Sequence, residues 1–329
     1  MVFQTGVISL QARIVKLFCR LTVKRRMKKP AASPIDGIRR LRASLSRYDA
    51  VNRRLTRGLR VVESEGVVGG EWLLPGSEPR DRAILFVHGG AFVACSPLTH
   101  RPLTTALARR TGVPLFAVDY RLAPEHPFPA AIDDVLAAFD ALVARGIPPN
   151  GIVLVGDSAG GGLVLSAGIA LAARGHDRMP AAIVAYSPWT DLLATGDSIR
   201  TNSRSDDMLV GSGTASSARN YVTDPSKLLD PLASPLYGDL AGLPQLLVFA
   251  STCEILLDDS VRFVDRARRA GTPAELVLEP DMPHVWAIFV DVMPEAKRTV
   301  AQTADFILRV LAAQPSDGRR SAEMERRTA

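Results

Sequence analysis

Cysteine is nearly absent: Cys19, Cys95 and Cys253 are the only three in 329 residues. An odd, scattered set excludes a disulfide framework and fits a reducing compartment, so a cytoplasmic setting is expected. Histidine is almost as scarce, with five residues, and no cluster has metal-ligand spacing. There is no Walker A segment, and the glycine-dense stretch 156–162 lacks the spacing of a dinucleotide loop. No cofactor and no metal are expected. Zinc-finger spacing, an RNA-binding signature and interleaved aromatics are all missing, which argues against a nucleic-acid partner despite a net charge of +6.

Much of that positive charge sits near the N-terminus. Val7, Leu10, Ile14, Leu17, Phe18 and Leu21 recur at helical spacing, with Arg13, Lys16, Arg20 and Lys24 on another face and a basic run over 24–29. Such a helix fits two settings. It packs as a cap with its basic side solvated, or it lies peripherally on an anionic membrane through residues 7–29. Charges interrupt it too often for a transmembrane span. It also lacks the charged start, unbroken apolar centre and small-residue site of a cleaved secretory signal.

The rest of the chain is rich in short apolar runs alternating with helical patterns, which predicts an α/β fold with a mainly parallel sheet. Strands are expected near 59–64, 69–74, 83–88, 115–120, 151–157, 182–187, 245–250 and 274–279. The first two are polar-alternating and joined through glycines, as in an antiparallel edge. Helices are expected near 98–111, 129–145, 159–174, 258–270 and 295–313.

One segment stands out. Gly156-Asp157-Ser158-Ala159-Gly160 follows the apolar run Ile152-Val153-Leu154-Val155 and opens a small-residue helical stretch. That is the strand–turn–helix setting of a nucleophile elbow, in which glycines flank a turn too sharp for side chains and a serine hydroxyl is exposed. Upstream, His88-Gly89-Gly90-Ala91-Phe92 ends another apolar run. Paired glycines at a strand end free backbone N–H groups to hold an oxyanion, so Gly89, Gly90 and Ala159 are the expected donors. His88 is read as a structural brace for that loop.

In this order of elements the acid and then the base follow the serine. Of the later histidines, His176 lies in a polar turn, whereas His284 follows the strand-like run 274–278 and is the expected base. Glu254 comes directly after the strand-like run 245–250 and is the expected acid. Asp258 is the alternative; it and Asp259 precede a helical pattern and have capping as a sufficient reason to be there. Cys253 adjoins the acid and is given no role.

With these pieces assembled, the chain resembles the hormone-sensitive-lipase family of α/β-hydrolases, in its bacterial esterase branch. The matching segments are His88-Gly89-Gly90-Ala91-Phe92, Asp119-Tyr120-Arg121-Leu122-Ala123-Pro124-Glu125-His126-Pro127-Phe128-Pro129, Gly156 to Gly161, Ser187-Pro188-Trp189 and Met282-Pro283-His284, in the family's order. The Tyr-Arg-Leu-Ala-Pro-Glu stretch is the most discriminating. Two departures stand out: Ala91 replaces a glycine, and Glu254 stands where the family commonly has an aspartate.

The resemblance implies a serine hydrolase cleaving small esters of short to medium acyl chain through an acyl-enzyme. It also implies a helical cap made from an N-terminal segment (1–57) and an insertion (189–240). The core would then be 58–188 with 241–314, and 315–329 a disordered tail rich in Arg, Glu and Ser. Two rival readings are an amidase or peptidase on the same triad, and a ligand-binding protein of hydrolase fold without catalysis. Oligomeric state is open, a homo-oligomer included.

Overall fold

The computed structural model describes residues 2–3, 8–28, 33–76 and 81–314. The expected tail at 315–329, and Val7 and Lys29 of the basic helix, lie outside the described residues. A nine-stranded sheet runs through the centre. Its strands are β1 (Val2–Phe3), β2 (Arg60–Ser64), β3 (Gly70–Leu74), β4 (Ala83–Val87), β5 (Leu115–Val118), β6 (Ile152–Asp157), β7 (Ala182–Tyr186), β8 (Gln245–Ser251) and β9 (Ala274–Glu279). Their order across the sheet is β1-β9-β8-β7-β6-β4-β5-β3-β2. All neighbours are parallel except β2–β3 and β3–β5, so the antiparallel edge lies where the first two apolar runs indicated. The first strand is two residues long, too short for periodicity to reveal.

The central strands are apolar along most of their length because both faces are covered. In β4, Leu85 and Val87 join one core while Ile84 and Phe86 join the other. Helices α4 (Ala130–Ala144), α5 (Ser158–Arg174) and α7 (Leu257–Arg269) pack on the first face through Ile132, Phe139, Val164 and Phe263. Helices α3 (Arg101–Thr111) and α8 (Pro294–Ala313) pack on the second through Leu107, Val300 and Ile307. Each buried side chain of this size contributes about 1.5–3 kcal/mol. The N-terminal helix α1 (Leu10–Cys19) joins the second face through Ala12, Val15 and Cys19. Helix α2 (Pro34–Leu45) and α6 (Gly211–Tyr221), the latter inside the 189–240 segment, join the first through Ile38, Ala218 and Tyr221.

Parallel strands all end on one side of the sheet. The loops after β4, β6, β8 and β9 therefore converge there, and they carry the residues that follow.

Candidate active site

Ser158 sits at the turn between β6 and α5 with φ +52°, a left-handed conformation that a serine adopts at a cost of about 1–3 kcal/mol. The turn is held because α5 lies hard against β4. A methyl group on Gly160 would fall within 3 Å of the carbonyl oxygens of Val87 and His88. The strain raises the Ser158 hydroxyl above the strand end, as expected of an elbow.

His284 comes from the loop after β9. Its Nε2 lies 2.9 Å from Ser158 Oγ. Its Nδ1 lies 2.5 Å from Glu254 Oε2, and Glu254 Oε1 accepts the Ser251 N–H at 2.7 Å. All three side chains are buried. Burial lowers the basicity of the imidazole, but the hydrogen bond and charge of Glu254, with Asp206 and Asp157 behind, outweigh it and raise the His284 pKa. Ser251 joins the two loops: its hydroxyl accepts the Met282 N–H at 3.0 Å and donates to the Met282 carbonyl at 2.7 Å.

Asp258 has another occupation. It accepts the N–H of Ser198 at 2.9 Å, while the Ser198 hydroxyl donates to the Ile255 carbonyl at 2.7 Å. Asp259, fully buried, accepts the N–H groups of Thr190 and Asp191 at 2.8 Å each. Burial pushes its carboxyl up to about 8. Both aspartates stand in the first turn of α7, yet their hydrogen bonds fasten the 189–240 segment to that helix rather than capping it.

The loop after β4 departs from expectation at one position. The Gly89 N–H donates to Asp157 Oδ1 at 3.0 Å, so it is occupied and turned from any substrate. The N–H groups of Gly90 and Ala91 find no acceptor among the described residues. Ala159 is the second residue of α5, where a helix leaves its N–H groups without internal partners. Three consecutive kinks shape the loop: Gly90 at φ +113°, Ala91 at +55° and Phe92 at +63°.

Sequence reasoning missed the supports. Asp157 Oδ2 meets His100 Nε2 at 3.2 Å, so the residue before Ser158 ties the β4 loop and the start of α3 to the elbow. Asp206, buried in the segment between β7 and β8, accepts the Ile255 N–H at 2.9 Å, and the Met208 and Leu209 N–H groups at 2.8 Å each. Neither His100 nor Asp206 lies in a motif. His88 is a brace, as expected: Nδ1 lies 2.7 Å from the Gly89 carbonyl, and the ring stacks on Tyr120 at 4.3 Å. Burial, with His100 nearby, pushes it down to about 3, so the ring is neutral. The proline-rich segment after β5 is anchored by an ion pair of Arg121 with Asp134 (2.7 Å) and of Glu125 with Arg42 of α2 (2.8 Å). Arg42 also donates to the Val93 carbonyl at 2.7 Å, which steadies the far end of the β4 loop. The Cys253 thiol is pushed up to about 12 by burial and stays protonated.

This geometry has relatives. Residues 84–288 match the family model described as alpha/beta hydrolase fold. An acetyl-hydrolase of Streptomyces hygroscopicus is 39% identical over 248 residues, 75% of this chain and 81% of that protein. An esterase of Acinetobacter venetianus is 38% identical over the same shares. A crystal structure of an esterase from the bacterial hormone-sensitive lipase family superposes with a TM-score of 0.83 at 38% identity, covering 93% of this chain and 100% of that one. The chain belongs to the hormone-sensitive-lipase family of α/β-hydrolases. It is a carboxylic ester hydrolase. In this family member no group of three or more potential ligands capable of holding a metal occurs among the described residues. No helix among them is long and apolar enough to cross a membrane.

Proposed function

We propose that this esterase cleaves esters of short to medium acyl chain through an acyl-enzyme on Ser158. The observation that carries the reading is the chain of contacts from Ser158 Oγ to His284 Nε2 (2.9 Å) and from His284 Nδ1 to Glu254 (2.5 Å). Ser158 Oγ attacks the ester carbonyl carbon and His284 takes the hydroxyl proton. Glu254 accepts the Nδ1–H bond and stabilises the imidazolium without taking its proton. The amides of Gly90, Ala91 and Ala159 hold the developing oxyanion, each worth about 3–4 kcal/mol. The tetrahedral intermediate collapses, the carbon–alkoxy bond breaks, and His284 protonates the departing alcohol. Water then attacks the acyl group with His284 again as base, releasing the acid and restoring Ser158.

Two observations support a short acyl group. Ser158 retains only 9% of its surface, so the entry is narrow. Beside it the Trp189 N–H donates to the Ser158 carbonyl, and Trp189 belongs to a buried aromatic group with Phe92 (5.6 Å) and Tyr221, which stacks on Phe92 at 3.8 Å. Rigid rings there leave little room for a long chain. The Streptomyces relative is named for acetyl hydrolysis, in keeping with this. A profile of kcat/KM against p-nitrophenyl esters from acetate to palmitate tests it. The maximum is expected at acetate to hexanoate; a maximum at palmitate would reject the acyl-length reading.

A further inference from the structure

Helix α1 continues beyond Cys19 through a wider, π-type turn (Arg20–Lys24) into Arg25–Met27. Its inner side is fully engaged. Ala12, Val15 and Cys19 are buried, Ser9 donates to Glu295, Lys16 pairs with Asp281, Arg20 pairs with Asp207 at 2.7 Å, and Lys24 turns inward onto the carbonyls of 203–206. These bonds fix the rotation of the helix. The outer side then has no freedom to fold inward, and it is apolar: Leu10, Ile14, Leu17, Phe18 and Leu21 expose from 49% (Phe18) to 69% (Leu10) of their surface. Leu21 falls in line with the others at ordinary helical spacing, while Lys24, at the end of the wide turn, faces the protein. A contiguous apolar face of this kind marks an interaction surface.

The charge around it selects the partner. Residues 1–35 contain eight Lys and Arg and no Asp or Glu. Arg13, Arg25, Arg26 and Lys28 are exposed and have no ion-pair partner among the described residues. A second copy docking symmetrically on this face would bring like unpaired cations together, which disfavours it. An anionic lipid surface would neutralise them and bury the stripe.

We infer that α1 and its continuation dock this esterase in the interface of bilayers rich in anionic lipid, with Leu10, Ile14, Leu17, Phe18 and Leu21 inserted among the acyl chains and Arg13, Arg25, Arg26 and Lys28 at the headgroups. The helix lies in the membrane plane, as amphipathic helices with one apolar and one basic side do. Lys16, on the inner side, joins this helix to Asp281, three residues before His284, so the docking helix itself adjoins the loop of the catalytic base.

The test is sedimentation of the full-length protein with sucrose-loaded vesicles of phosphatidylglycerol and phosphatidylcholine, against phosphatidylcholine alone. Binding to the anionic vesicles is expected to be at least about tenfold tighter and to weaken as salt rises from about 0.1 M to about 1 M. Ile14→Gln with Phe18→Gln is expected to weaken binding roughly a hundredfold while leaving Tm unchanged, since both side chains face water. Arg25→Gln with Arg26→Gln is expected to remove most of the preference for phosphatidylglycerol. Absence of wild-type binding to anionic vesicles, or undiminished binding by the Ile14/Phe18 variant, would overturn the proposal. So would a wild-type dimer that the Ile14/Phe18 variant splits into monomers, which would give the face to a second copy. Vesicle binding does not depend on the triad, so these outcomes leave the ester chemistry untouched.

Discussion

Asp206 Oδ2 accepts the Ile255 N–H at 2.9 Å, one residue beyond Glu254, the proposed triad acid. The segment between β7 and β8 thus holds the Glu254 loop from behind, and the Asp206 charge adds to the basicity of His284. Asp206→Asn removes that charge and sets an amide NH2 against at least one backbone N–H. A fall in kcat of about tenfold to a hundredfold is expected, with KM little changed. A residue serving only the fold would not move the pH profile. Here the acidic limb of kcat/KM is expected to shift to lower pH, and an unmoved limb would show that Asp206 does not act on His284.

The two candidate acids separate cleanly by their partners. Glu254→Gln leaves the imidazole without its counter-charge and is expected to cost about 10³–10⁴ in kcat. Asp258→Asn disturbs only the start of the short helix at Ser198 and is expected to cost less than about tenfold. Steady-state kinetics on p-nitrophenyl butyrate decide; the reverse ranking would transfer the acid role to Asp258.

The raised pKa of His284 has consequences of known sign. The base must be neutral, so activity is expected to rise with pH through a value above the ordinary imidazole value of about 6.5. Stability runs the other way. The folded state holds the proton more tightly than the unfolded chain, so this contribution is complete below about pH 6.5 and is lost as pH rises through the folded value. Asp259, pushed up to about 8 by burial, also loses stability as pH rises, from its unfolded value near 3.8 to 8. The difference in Tm between wild type and Glu254→Gln, measured across pH, isolates the His284 part. A gap that widens toward high pH would contradict the assignment.

Gly90 tests the β4 loop. At φ +113° a side chain is strained, and a methyl group there would press on the Ala94 carbonyl. Gly90→Ala is expected to destabilise by about 2 kcal/mol or more and to remove most activity by displacing the loop amides. Thermal unfolding and kcat/KM measured together check this; full activity at unchanged Tm would mean that these amides do not hold the oxyanion.

Much of this was readable beforehand. Buried parallel strands are uninterrupted apolar runs, so β4 to β9 and helices such as Ala130–Ala144 and Pro294–Ala313 fall within a residue or two of the periodicity. Ser158, Glu254 and His284 lie at strand ends, which a sequence marks. The bond that occupies the Gly89 N–H is not legible in the sequence, because glycine pairs reveal freedom of the backbone but not its direction, and here Asp157 accepts that N–H. Asp206 and His100 were invisible for a related reason. Each reaches the site from a polar stretch with no strand before it, through contacts 49 and 57 residues apart in sequence.

The most direct test is the mass of the enzyme caught during turnover. Rapid acid quench after mixing with p-nitrophenyl butyrate, followed by peptide mapping, is expected to find a butyryl group on Ser158 and none in Ser158→Ala, which should also fall to background hydrolysis with its Tm retained. Sustained turnover by Ser158→Ala, or a butyryl group on another residue, would contradict the central claim.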